Sequence, residues 1–302
     1  MRSDPVIGVD LGGTKILAGL VDRDGEIRRT VELQTPGTSE DAVLRALGDV
    51  VEQVAGGDSP LAVGLGVPCN FDRSTSRCFR ATNLPLTDVE FAEPLRQRFG
   101  VPVGVENDGN AAALAEWRLG AARGADDFVM LTLGTGVGGG LVLGGRLYRG
   151  WAELGHVVVE AGGPPCQGNC HGRGHLEAVA SGHAADRRAR ELYGDGATAH
   201  DLVERARGGE TDAVAALERI GELLGAAIGS FVNMFDPEVV VVGGGFGAAA
   251  GDLVLGPARE AARREAIQPA DDRLRIVEAQ LGEEAGLIGA ALVGLEALDG
   301  LR

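Results

Sequence analysis

The chain has 302 residues, of which 44% are hydrophobic and 49 are glycine, and it carries a formal net charge of −16. That length and apolar fraction suffice for a buried core and suggest two domains. So acidic a surface argues against nucleic acid and anionic membranes as partners, and no apolar run is long enough to span a bilayer.

The N-terminus leads directly into an apolar strand without a signal-peptide pattern, so a cytoplasmic protein is expected. Four cysteines are too few for a disulfide scaffold at this size. A reducing compartment would keep them as thiols or metal ligands.

Val6–Val9 reads as a short strand. It runs into Asp10, Leu11, Gly12, Gly13, Thr14 and Lys15, and a second strand follows from Ile16 to Val21. Glycines at such a hairpin tip expose backbone N–H groups without Cβ obstruction, which is one way to hold phosphate oxygens. An ordinary hairpin would need the same two glycines. Glu26–Leu33 alternates like a third strand, and Ser39–Ala55 has Val43, Leu44, Leu47, Val50 and Val51 near helical spacing. Leu61–Val67 reads as a buried strand, Pro68–Ala81 as an irregular loop, and Phe91–Phe99 as a helix. Many glycines cluster in short loops between apolar runs, which suggests backbone brought close to a ligand.

Glu106-Asn107-Asp108-Gly109-Asn110 lies between the apolar strand Val101–Val105 and a helical run beginning at Ala111. A carboxylate at the end of a strand, opening onto a helix, sits where α/β folds place their ligands. A helix cap is the plain alternative, but capping needs only one such side chain. From Phe128 the first pattern returns: a strand to Leu133, the glycine-rich tip Gly134–Gly140 with Thr135 and Gly136 in it, and a strand Leu141–Leu143. An internal repeat of this kind is more specific than either hairpin alone. Next come Glu153, His156, a Gly/Pro-rich loop with Cys166 and Cys170, then His171, His175 and Glu177. Helices are expected over Ala178–Leu192, Ala199–Ala206, Ala213–Phe235, Gly251–Ala266 and Gly286–Leu298. The strand Val239–Val242 ends in Gly243, Gly244 and Gly245, and Leu274–Glu278 is a further short strand. Alternating strands and helices give an α/β class.

With both glycine hairpins, the Glu-Asn-Asp-Gly-Asn stretch and the Gly-His…Cys loop in this order, the chain resembles the ROK family of sugar kinases, within the actin-like, hexokinase-like ATPase superfamily. The resemblance runs from Val6 to about Leu298. It implies an α/β fold of two lobes of duplicated actin-like (ribonuclease H-like) topology with a cleft between them. Residues 1–115 would form the small lobe, with the helix of about 286–302 packing back on it, and residues 116–285 the large lobe. It implies phosphorylation of a hexose by ATP, glucose first, with fructose, mannose, allose or an N-acetylhexosamine as alternatives. Polyphosphate as donor, or a sugar-responsive regulator, are further readings. A regulator of this family would carry an N-terminal helix-turn-helix, for which a first strand at Val6 leaves no room. Many relatives are oligomers, so a homodimer or homotetramer is implied.

By the same resemblance, Asp108 is the general base. Asn83, Asn107, Glu153, His156 and Glu177 hold the sugar hydroxyls. Asp10, Gly12, Gly13, Thr14 and Lys15, with Gly134, Thr135 and Gly136, face the ATP phosphates and Mg²⁺. Gly243, Gly244 and Gly245 pack near the adenosine. His156, Cys166, Cys170 and His175 are the candidate ligands of a structural Zn²⁺. The family's usual set is one His and three Cys, the first two separated by one residue. Here Gln167, Gly168 and Asn169 separate Cys166 from Cys170, and His175 replaces the third Cys. A Cys₂His₂ site remains feasible; loss of the metal, or His171 as a competing ligand, are the alternatives. Cys69 and Cys78 read as buried small residues or loop thiols, with Cys69 near the sugar.

Overall fold

A computed structural model of the chain describes residues 5–72, 75, 77–81, 84–269 and 273–300. It divides into two compact units, one reaching to Leu119 and resuming at Glu284, the other Gly120–Glu283. The first unit starts with β1 (Val6–Leu11), β2 (Lys15–Val21), β3 (Ile27–Gln34), α1 (Glu40–Ala55), β4 (Val63–Val67), β5 (Cys69–Asp72), β6 (Arg77–Ala81) and β7 (Thr87–Val89). It continues with α2 (Ala92–Phe99), β8 (Val103–Asn107) and α3 (Asp108–Leu119). The second unit holds β9 (Phe128–Leu133), β10 (Val137–Leu143), β11 (Arg146–Leu147), α4 (Leu176–Ala180), α5 (Gly182–Tyr193), α6 (Ala199–Arg207) and α7 (Thr211–Phe235). It closes with β12 (Val239–Gly243), α8 (Gly245–Ala250), α9 (Asp252–Glu265) and β13 (Ile276–Glu278). The last helix, α10 (Ala285–Asp299), belongs to the first unit.

Each unit contains a five-stranded sheet, ordered β3-β2-β1-β4-β8 in the first and β11-β10-β9-β12-β13 in the second. In both, the opening hairpin is antiparallel and the next two strands add parallel to its first strand. This is the duplicated α/β topology that the sequence implies.

In the first unit, Gly19, Gly8, Gly64 and Gly104 stand in register across β2, β1, β4 and β8. A Cβ on Gly8 would overlap the Leu287 carbonyl, one on Gly64 the Ala290 carbonyl, and one on Gly104 the Val293 carbonyl. The glycine row therefore lets α10 lie directly on the sheet. These strand glycines serve helix packing. α1 is capped at its start by Ser39, which accepts from Ala42 N–H, and ends at Gly56 with φ 55°. In the second unit close packing is done between helices. Gly221 and Gly225 of α7 bring it against the α9 carbonyls of Val254 and Ala258.

Three local expectations are corrected. Pro68–Ala81 is not wholly irregular: β5 and β6 pair antiparallel, and β7 completes a three-stranded sheet. These strands are short and mixed with charge, so no alternation marks them. Cys69 and Cys78 face each other across this hairpin and form a disulfide, with Cα atoms 5.5 Å apart. Neither is a thiol, because the hairpin brings together two buried side chains whose pairing no spacing rule reveals. The helical run after Ala178 is broken at Ser181, whose Oγ caps α5 by accepting from Ala184 N–H at 3.1 Å. No helix among the described residues is long and apolar enough to cross a membrane.

Candidate active-site residues in the two units

The first glycine tip is a closed turn: Gly12 N–H donates to the Lys15 carbonyl at 2.9 Å. Thr35 braces it, its hydroxyl donating to the Gly12 carbonyl at 2.8 Å and its N–H to the Thr14 carbonyl at 2.9 Å. Gly13, Thr14 and Lys15 are exposed, and Lys15 pairs with Glu32 at 3.2 Å. Asp10 lies near the end of β1 against α10, where a Cβ on Gly286 would come within 2.6 Å of its carboxylate. Burial, and then the Asp108 charge, push the Asp10 carboxyl up to about 6, with Lys15 opposing.

The β8–α3 junction is tied by its own side chains. Glu106 is buried, and its Oε1 accepts from Asn107 N–H and from Asn110 Nδ2, each at 3.0 Å. Asn107 Oδ1 accepts from Asn110 N–H at 3.1 Å, and its Nδ2 donates to the Cys69 carbonyl at 3.3 Å. Capping of α3 thus falls to Asn107. Asp108 begins the helix, half-buried, and one oxygen accepts from Gly109 N–H at 2.8 Å. A helix N-terminus favours a carboxylate in its charged form. Asn83 lies outside the described residues.

In the second unit the tip is tighter and held from outside. Gly134 N–H donates to the Gly136 carbonyl at 3.0 Å, and Gly182 N–H donates to the Gly134 carbonyl at 2.8 Å. The Thr135 carbonyl accepts from Gln167 Nε2 at 3.1 Å and from His183 N–H at 3.4 Å. Glu177 Oε2 accepts from Val137 N–H at 3.0 Å. A Cβ on Gly136 would come within 2.2 Å of that carboxylate, so a side chain there would displace Glu177.

The four candidate metal ligands converge. One atom from each of His156, Cys166, Cys170 and His175 lies within 4.8 Å of every other. The two Nδ1 atoms are 3.3 Å apart, Cys166 Sγ is 3.8 Å from His156 Nδ1, and Cys170 Sγ is 3.5 Å from His175 Nδ1. Tetrahedral zinc with nitrogen and sulfur ligands has edges of about 3.3–3.8 Å, so the donor set and its spacing fit that ion. The cluster contains His175 and not His171. Burial pushes the metal-free Cys166 thiol up to about 12. The other ring nitrogen of His156, Nε2, stands 4.0 Å from Glu153 Oε2. Glu177 Oε1 lies 3.7 Å from Cys166 Sγ.

A cavity of about 410 Å³ in this unit is lined by Gly134, Thr135, Gly182, Asp186, Ala199, His200, Val203, Gly245, Phe246 and Ala249. Of the glycines expected near a nucleoside, Gly245 lines it and Gly243 and Gly244 do not. A Cβ on Gly243 would instead meet the Ala279 methyl, and one on Gly244, at φ 84°, the Leu133 backbone. Sequence reasoning missed Asp186 and His200. Asp186 Oδ1 accepts from Ala199 N–H at 2.6 Å and so fixes the start of α6 beside the cavity.

A family model described as the ROK family matches residues 6–296. The chain is 38% identical to a glucokinase of Thermotoga maritima, over 98% of each chain. A ROK family glucokinase from Streptomyces griseus, solved in complex with glucose and AMPPNP, superposes with a TM-score of 0.85 at 36% identity, covering 97% of this chain and 99% of that one. A ROK hexokinase from Thermus thermophilus gives 0.84 at 36% identity, covering 98% and 99%.

Proposed function

Because the chain belongs to the ROK family, and is a hexose kinase of the actin-like two-lobe fold, we propose that it transfers the γ-phosphoryl group of ATP to glucose, yielding glucose 6-phosphate, with Asp108 as general base. The observation that carries this reading is the near full-length likeness to glucokinases, one of them holding glucose and an ATP analogue.

Phosphoryl transfer asks little covalent chemistry of a protein; it asks for an oriented hydroxyl, a base and donors for phosphate oxygens. Asp108 would accept the proton of the attacking sugar hydroxyl from about 3 Å. Asn107, pinned by the Cys69 carbonyl and by Asn110, presents its amide to a neighbouring hydroxyl. Glu153, His156 through Nε2, and Glu177 through its remaining lone pairs would hold other hydroxyls, with Asn83 by family likeness. The cavity beside Gly245 suits the nucleoside, and the Gly134–Gly136 backbone its phosphates.

Mg²⁺ would be met by Asp10. The fit is chemical: the Asp10 carboxylate, raised first by burial and then by the neighbouring Asp108 charge, is a hard oxygen donor whose negative charge a divalent cation stabilises. The ion would neutralise charge on the phosphate oxygens. Gly12, Gly13, Thr14 and Lys15 would lie on the same phosphates, and Lys15 would then exchange Glu32 for them. Zn²⁺ would be held by His156, Cys166, Cys170 and His175; with four protein ligands it is structural and fixes the loop carrying His156 and Glu177. An ATP-dependent sugar kinase fits the cytoplasm, and a homodimer or homotetramer fits the family.

An assay of hexose 6-phosphate formation over a panel of hexoses, with ATP and with polyphosphate as donor and ADP release followed in the ATP arm, tests the reading. Glucose with ATP is expected to give the highest kcat/KM. No hexose 6-phosphate with any hexose and either donor would overturn it in favour of a sugar sensor.

A further inference from the structure

We infer that Gln167 is a positioning residue through which the Cys/His metal loop sets the phosphate-facing tip at Gly134–Gly136, so that metal occupancy governs nucleotide affinity as well as sugar contacts. The inference rests on the proposed nucleotide role of that tip. Gln167 lies between the candidate ligands Cys166 and Cys170.

Two consecutive peptide groups of the tip are pinned, and both pins are close sequence neighbours of candidate metal ligands. Gln167, directly after Cys166, donates its Nε2–H to the Thr135 carbonyl at 3.1 Å. Glu177, two residues after His175, accepts Val137 N–H at 3.0 Å. A trans peptide is planar, so holding the Thr135 carbonyl also fixes the Gly136 N–H on the opposite edge of the same plane. That matters at this place because Gly136 stands on one side of the peptide, and glycine resists reorientation least of all residues. Gly134 and Thr135 both line the 410 Å³ cavity, so a turn of this peptide changes the wall that a nucleotide would meet.

His183 N–H also reaches the Thr135 carbonyl, but at 3.4 Å it is the longer contact. It comes from the α5 start, beyond α4 and eight residues after His175. Gln167 is therefore the side chain whose loss would release the Thr135–Gly136 peptide from the metal loop while leaving every ligand atom, and the Glu177 contact with Val137 N–H, in place. The direction is also set: an ordered tip has its N–H groups oriented before the phosphates arrive, and less freedom is lost on binding.

The test uses full-length protein in saturating zinc, with a non-hydrolysable ATP analogue and glucose titrated separately by calorimetry. Gln167→Met keeps the length of the side chain and removes the donor. It is expected to weaken the ATP analogue about three- to tenfold, the range for one neutral hydrogen bond, while glucose affinity and zinc per chain stay unchanged. In turnover, KM for ATP is expected to rise by a similar factor with kcat held. Removing zinc from the unaltered protein by chelation should weaken the analogue at least as much, and Gln167→Met should add nothing in the chelated state. Unchanged analogue affinity in zinc-loaded Gln167→Met would overturn this inference alone, as would full additivity with chelation. Absence of analogue binding by the unaltered chain would overturn the nucleotide reading, and this inference with it.

Discussion

The two glycine-tipped hairpins hold the same place in sheets of the same strand order, yet they are built for different work. Where β1 carries Asp10, the corresponding residue of β9 is Thr132, and where the first tip ends in Lys15 the second ends in Val137. The first tip closes between Gly12 and Lys15 and is braced by Thr35. The second closes between Gly134 and Gly136 and is held by Gln167, Glu177 and the start of α5. Charge in the first resides on side chains; polarity in the second resides on the backbone. One motif, repeated, thus supplies a carboxylate to one unit and oriented peptide groups to the other. Glycine at a tip does not say which of these a hairpin does; the residues flanking the glycines do.

The largest expected effect concerns the carboxylate side of that contrast. Asp108→Asn keeps the shape of the side chain and its contact with Gly109, but removes the base. Turnover is expected to fall by about 10²- to 10⁴-fold with glucose affinity within a few-fold of the unaltered chain. Rates and glucose titrations on the same preparation check it. Near-normal turnover would remove Asp108 from the chemistry and leave the first unit's carboxylates without their distinction.

Next in size is a test of what the strand glycines do. Gly64→Ala places a methyl against the Ala290 carbonyl and the Gly294 N–H of α10. Both are backbone atoms and cannot swing away, so a loss of about 3 kcal/mol is expected in chemical denaturation. The same substitution at Gly256 of α9, where nothing lies within 4 Å, is expected to stabilise by about 0.5–1 kcal/mol. Similar results at both sites would mean that α10 is not fitted to the sheet through glycine.

These glycines also mark where sequence and structure part. The apolar runs of β1, β9 and β12 are legible because fully buried strands have few polar residues to confuse them. The repeat of strand, tip and strand makes the duplicated topology legible as well. His156, Cys166, Cys170 and His175 are legible as a set because metal-ligating side chains are rare and lie close in sequence. The Gly19–Gly8–Gly64–Gly104 row is not legible: its members come from separate strands and align only through register. The β5–β6 hairpin and its disulfide are hidden by short strands bearing Asn70, Asp72, Arg77 and Arg80. Asp186 and His200 sit in ordinary polar positions of α5 and α6, and only the packing of these helices brings them to one cavity. Helix α8 is hidden by the glycines that begin it, since Gly245 and Gly247 are poor helix formers in isolation.

The last expected effect is on the pH dependence of stability, and its sign separates the tips most cleanly. The Asp10 carboxyl rises from an ordinary value of 3.8 to about 6 on folding, first through burial and then through Asp108. Between those values the folded chain holds a proton that the unfolded chain has lost. Stability contributed by this group therefore falls as pH rises from about 4 to about 6, and the full cost is present at neutral pH. Linkage sets an upper bound of about 3 kcal/mol, which partial exposure reduces to about 2 kcal/mol. Asp10→Asn removes the charge without changing the side chain's shape. It is expected to be more stable than the unaltered chain by about 2 kcal/mol at pH 7.5 and to show no gain at pH 4, while turnover with MgATP falls. Denaturation midpoints at the two pH values measure the difference. Thr132 carries no charge, so the position that corresponds to Asp10 contributes no such penalty in the second unit. Equal stability of Asp10→Asn and the unaltered chain at pH 7.5 would mean that the first tip bears its carboxylate without cost, and that the two hairpins differ in residue type but not in electrostatic burden.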